Sequence, residues 1–196
     1  MNIYRIISLV AVMWVLAPTA ISAEALPVLI GAEFITDELV EFDRATGTAT
    51  FVSQLERDNI NLLGMASHPT SGILFGLDRF ITQTLVTINP VSGSVTTIAS
   101  LSSPASSVIT GLAFSPNDQT LYSIDVTLDE LVSINTVTGA VTYIGAFGQE
   151  FDLFRDLAFD ELTNTLYSVD LQRDELVSID INSGAASVIG TLGLDE

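Results

Sequence analysis

Acidic residues recur at matching places along this chain. Asp78, Asp125 and Asp170 each end a short apolar run, and Asp129-Glu130 and Asp174-Glu175 follow the last two at the same distance. Asp37-Glu38 stands at the corresponding place nearer the N-terminus. Carboxylates are hard oxygen donors, so such a set gathered on one surface is a candidate site for Ca²⁺ or another hard cation, or a docking surface for a basic partner. The candidate rim is Asp78, Asp125, Asp129, Asp170 and Asp174, with Asp156 as a sixth member. None of these loops has EF-hand ligand spacing, and the same residues also serve as turn caps and as solvated charge on strand edges. The residue types fit both readings.

Nucleophilic and transition-metal chemistry finds little support. The chain has no cysteine, and its single histidine, His68, has no companion that would make a zinc site. No G-x-S-x-G element occurs, so a Ser-His-Asp triad is not indicated, and His68 reads as a surface residue before a turn.

The elements that must position the carboxylates come from a repeat. LVEFDRATGTATFV (39–52), LVTINPVSGSVTTI (85–98), LVSINTVTGAVTYI (131–144) and LVSIDINSGAASVI (176–189) align without gaps, and Gly47, Gly93, Gly139 and Gly184 lie 46, 46 and 45 residues apart. In the third repeat, alternation and turn signals give strands over 109–114, 120–125, 130–135 and 140–144, and the second and fourth repeats copy this division. Four short strands in about 45 residues is the blade of an all-β propeller. Stretches such as Leu-Val-Ser-Ile are apolar on both faces, as a sheet sandwiched between neighbouring sheets requires.

The expected boundaries are about 27–60, 61–106, 107–151 and 152–193 within a propeller domain of residues 24–196. In the first repeat, 29–33 aligns with a second strand, so nothing after the leader supplies the innermost strand of that blade. The count is three complete blades plus a partial N-terminal one. Three arrangements remain open: a four-bladed ring with an imperfect seam, an open arc that pairs with another copy, or part of a longer ancestor.

Each [DN]-x-x-[ST]-G element, from Asp43, Asn89, Asn135 and Asp180 to the glycines above, predicts a hairpin turn. Its Asp or Asn oxygen accepts backbone N–H groups two residues on, and its glycine takes a positive φ. In a propeller the acidic positions fall at the other end of the sheets, beside the connections through Glu56-Arg57-Asp58 and 150–156. Arg155-Asp156 stands where other repeats have Thr110-Gly111 and Leu63-Gly64, near the central channel. A carboxylate there can bind a cation, act as a general base, or tie neighbouring blades together. Tyr122 and Tyr167, like Phe114 and Phe159, share blade positions and read as packing between blades.

Residues 1–23 have the form of a signal peptide: Arg5 precedes an apolar run over 6–16 broken only by Ser8, followed by Pro18 and small residues ending at Ala23 or Ala25. The run is shorter than the ~20 residues of a spanning helix. The mature chain is therefore expected to be secreted or periplasmic, without a membrane segment. Its 24 acids against six arginines and no lysine give a net charge of −18, which repels phosphate backbones and argues against nucleic acid.

The L-Y-S-[IV]-D strands at 121–125 and 166–170, followed by L-V-S-I-[DN]-x-x-[ST]-G, resemble the secreted bacterial propeller repeats of the YVTN, NHL and quinoprotein-like superfamily, in an uncharacterised branch. The resemblance covers residues 29–193 and implies the fold more than an activity. It implies no quinone cofactor, because Trp14, in the leader, is the only tryptophan. The expected function is a non-catalytic exported propeller that binds a protein or small ligand, with no cofactor unless Ca²⁺ occupies the rim. The alternatives are a metal-dependent hydrolase or lyase of lactonase type, using Asp156 with Asp125 and Asp170, and a self-associating structural propeller that forms a homodimer through its open edge.

Overall fold

In the computed structural model, residues 12–13, 28–33, 36–57, 60–79, 82–148 and 154–193 are described. The rest of the segment read as a leader, with its cleavage positions, lies outside them, as do Asp58 and residues 150–153 of the two connections. Among the described residues, sixteen strands form four antiparallel sheets of four, and no helix occurs. Blade 1 is β1 (Val12–Met13), β2 (Val28–Glu33), β3 (Glu38–Phe42) and β4 (Ala49–Gln54). Blade 2 is β5 (Leu62–Ser67), β6 (Leu74–Asp78), β7 (Thr84–Ile88) and β8 (Val95–Ser100). Blade 3 is β9 (Ile109–Phe114), β10 (Leu121–Asp125), β11 (Glu130–Ile134) and β12 (Val141–Ala146). Blade 4 is β13 (Ala158–Asp160), β14 (Thr165–Asp170), β15 (Glu175–Ile179) and β16 (Ala186–Thr191). The molecule is a four-blade β-propeller, as the period predicts.

Two strands differ from the sequence reading. Val12 and Met13, inside the apolar run read as a leader, pair with Leu29 and Val28, so blade 1 has a short innermost strand drawn from upstream of 24. In blade 4 the innermost strand is reduced to β13, and Arg155-Asp156 precede it instead of opening it.

The repeat extends to fine geometry. Each pairing of the third strand with the fourth breaks register at the same Leu-Val step: Leu39/Val40, Leu85/Val86, Leu131/Val132 and Leu176/Val177. A bulge there bends the outer strand and increases the local twist. The predicted hairpins form as well. Asn135 Oδ1 accepts the N–H groups of Val137 and Thr138, both at 2.9 Å, while Gly139 has φ 68°. Asp43, Asn89 and Asp180 do the same in their blades.

Among the described residues, the apolar core divides into three clusters, one for each pair of consecutive blades. Ile30, Ala32 and Leu39 of blade 1 meet Leu74, Val86 and Ile88 of blade 2. Phe75, Leu77 and Leu85 of blade 2 meet Leu121, Val132 and Ile134 of blade 3. Tyr122, Ile124 and Leu131 of blade 3 meet Leu166, Val177 and Ile179 of blade 4. Alternation in each strand sends one row of side chains to the preceding blade and the other row to the following one. This explains why the central strands β6 and β10 are buried throughout.

Candidate functional site

The topology brings the acidic positions to one rim, but they fall into two groups with different surroundings. The strand-end residues are internal: Asp78, Asp125 and Asp170 are 2%, 0% and 0% exposed. Asp125 Oδ1 accepts the N–H groups of Thr127 (2.9 Å) and Leu128 (3.2 Å), and Asp170 Oδ1 accepts those of Gln172 (2.9 Å) and Arg173 (3.3 Å). These are the turn caps that the sequence allows.

The second oxygen of each strand-end aspartate is treated differently from blade to blade. Asp78 Oδ2 pairs with the Arg57 guanidinium at 3.2 Å, and the same guanidinium donates to Thr97 Oγ1. Asp125 Oδ2 accepts the Tyr143 hydroxyl at 2.8 Å. Asp170 Oδ2 is buried and finds no donor among the described residues, and Val188 stands where blade 3 has Tyr143. Blade 1 uses Glu33, 4% exposed, whose carboxylate accepts the Thr36 N–H at 2.6 Å and the Thr36 hydroxyl. Sequence reading missed Glu33 and Tyr143 as members of this series. The alignment of 29–33 with 121–125 puts Glu33 opposite Asp125, and that was the available signal.

The Asp-Glu pairs make up the second group. Asp37, Asp129 and Asp174 have φ of 53°, 54° and 53°, the left-handed turn conformation that Asp and Asn tolerate better than other side-chain-bearing residues. Their carbonyls accept N–H groups from the fourth strand or just beyond it, Leu55, Phe147 and Leu192. Each pair, with Glu38, Glu130 or Glu175, is half-buried, and Asp37 Oδ1 and Glu175 Oε2 are turned inward, so the rim presents part of these carboxylates around the sealed aspartates. Blade 2 has Gln83-Thr84 instead, and Gln83 is tied to blade 3 through both the carbonyl and the N–H of Ile109. No three acidic or histidine side chains among the described residues converge as metal ligands.

Asp156 stands apart from the rim, near the axis. Its Oδ1 accepts the N–H of Leu157 at 2.9 Å, and Ser168 Oγ donates to its carbonyl at 2.7 Å. Thr110 Oγ1 reaches the carbonyls of Leu63 (2.9 Å) and Arg155 (3.3 Å), joining blades 2, 3 and 4. Burial raises the Asp156 carboxyl to about 6, against the opposing pull of the Leu157 and Leu112 N–H groups. Gly111, at φ 65°, leaves room for it: a Cβ there would lie 2.8 Å from Asp156 Cα.

His68 is half-buried and structural. Its Nδ1 accepts the N–H groups of Thr70 and Ser71, and its ring packs on Phe114 with centroids 5.0 Å apart. At the end of the sheets opposite the acidic rim, blade 2 carries an open hollow of about 370 Å³ beside Ile73, Asn89 and Thr96.

Comparison with known proteins agrees with this architecture. The chain is similar to a structural-genomics protein of unknown function from Bacteroides thetaiotaomicron (17% identity, TM-score 0.60, covering 92% of this chain and 44% of that one). It is also similar to a gluconolactonase from Xanthomonas campestris (18% identity, TM-score 0.59, 85% and 59%). A third likeness is to a chain of the nidogen/laminin complex (16% identity, TM-score 0.59, 81% and 60%). At these identities the likeness is one of fold, and it agrees with the β-propeller expected from the repeat. The chain spans roughly half the length of these structures. No curated protein matches it. A family model does match over residues 33–195, and the chain belongs to that family, described as a repeat of unknown function (DUF6923).

Proposed function

We propose that this chain is an exported, non-catalytic propeller that binds a basic protein partner through its acidic rim. The observation that carries the reading is the recurrence of half-buried Asp-Glu pairs at one end of blades 1, 3 and 4, over strand-end carboxylates that are already sealed. Charge of one sign gathered on one rim raises the local potential and speeds the encounter with an oppositely charged surface. Salt-dependent binding of poly-L-arginine tests it, using a variant with Asp129→Asn, Glu130→Gln, Asp174→Asn and Glu175→Gln. Asn suits the two left-handed positions. Low-salt affinity is expected to fall at least roughly tenfold, within the range of a few pair energies of ~0.2–1 kcal/mol each. Equal affinity of variant and parent would sink the reading. Calcium belongs to the proposal as a competing rim ligand, and a melting temperature that rises in about 1 mM Ca²⁺ would mark a cation site.

One observation favours a second reading. Asp156 is a carboxyl near the axis whose raised pKa suits a general base near neutral pH. One of the similar structures is a gluconolactonase. Lactone hydrolysis that is abolished in Asp156→Asn would support a hydrolase, and no turnover by the parent chain would remove it.

A further inference from the structure

The two end blades carry junction surfaces that the interior blades bury. The row facing the following blade is Phe75, Leu77, Leu85 in blade 2 and Tyr122, Ile124, Leu131 in blade 3, all buried. The same row in blade 4 is Tyr167, Val169, Leu176, of the same residue classes, and all three are half-exposed. The row facing the preceding blade is fully buried in blades 2 to 4, whereas in blade 1 Val40 is buried but its row-mates Leu29 and Phe42 are only partly covered.

The glycines give a second, independent reading of the same ends. In each interior junction the hairpin glycine of one blade docks on the outer strand of the blade before it. A Cβ on Gly93 would lie 1.7 Å from the Gln54 carbonyl oxygen, one on Gly139 2.8 Å from that of Ser100, and one on Gly184 2.2 Å from that of Gly145. Blade 1 has the equivalent hairpin glycine, Gly47, and blade 4 has the equivalent of Gly145 in Gly190. A Cβ on either would meet nothing within 4 Å. Both halves of a junction are therefore built, one at each end of the array.

We infer that two copies of this chain join head to tail, the blade 4 face of each on the blade 1 face of the other, closing a ring of eight blades. Each new junction repeats the Gly184–Gly145 contact as Gly47 on Gly190 of the other copy. It buries Tyr167, Val169 and Leu176 against Leu29 and Phe42. Interfaces between unlike faces close only when the rotation per copy fits, and repeated blades supply equal steps. With −18 on each copy, association strengthens as salt screens the repulsion.

The test is the mass of the purified full chain by sedimentation at low salt and at about 0.5 M salt, where screening reaches within a few Å. Two copies are expected, with tighter pairing at high salt. Gly190→Leu and Gly47→Asn place side chains into space that is open in a single copy, and Asn accepts the positive φ of Gly47. Each variant is expected to keep the parent's cooperative melting and to sediment as one copy. Mixing the two restores one good junction and should yield a weaker pair. A single-copy mass for the parent under every condition overturns the proposal, and so does pairing that both substitutions leave intact or a series that grows beyond two copies.

Discussion

Burial holds the Asp156 carboxyl near pH 6, above its usual value of 3.8, so the folded state disfavours its ionised form. Its contribution to stability is full below the unfolded value and is lost as pH rises from about 4 through 6. Asp156→Asn keeps the acceptor for the Leu157 N–H and removes the charge. It is therefore expected to melt higher than the parent at pH 7.5 and near the parent at pH 4. With the shift discounted for partial exposure to about 1 kcal/mol, the gain is roughly 2–4 °C. Equal melting at both pH values would show that the carboxyl ionises at no cost. The turn aspartates Asp43 and Asp180 lie the other way: backbone N–H donors lower them, so what they contribute is lost as pH falls through their depressed pKa. The sequence marked out the acidic positions but not which were sealed. Asp78 and Asp129 look alike as letters, and only the alternation of burial along the strand separates a capped internal carboxylate from one on a half-exposed turn.

At the scale of the element, the hairpin between the third and fourth strands was the most legible part of the chain. Its Asp or Asn, its hydroxyl residue and its glycine are all set by local hydrogen bonding and a positive φ, which need no tertiary information. What the pattern did not reveal is that three of these glycines also dock on a neighbour. Gly139→Ala adds backbone strain and drives a methyl against the Ser100 carbonyl, for an expected loss of about 2–4 kcal/mol. Gly47→Ala meets only the strain, and about 1 kcal/mol is expected. Denaturant midpoints of the two variants measure the difference, and equal losses would show that docking adds nothing. The innermost strands were the least legible. β13 is cut to three residues, and β1 is a two-residue strand in the stretch read as a leader, too short to show alternation.

For the whole molecule, the period of 45 or 46 residues made the propeller readable, because a sheet apolar on both faces must lie between two others. The state of the outer flanks was not readable, since it depends on curvature that accumulates over four blades. A chain beginning at Glu24 lacks β1 and leaves the inner edge of β2 unpaired. It is expected to melt a few degrees below the full chain, by the ~2–4 °C per kcal/mol of a domain this size, and identical melting would show that β1 adds no stability. The recurrence of one junction three times over has a consequence for how such a chain can change. A unit such as 107–151 supplies both a lock and its key, so copying that stretch in tandem inserts a wedge that fits its neighbours on either side. Duplication or deletion of whole units can therefore lengthen or shorten the array without inventing a new contact.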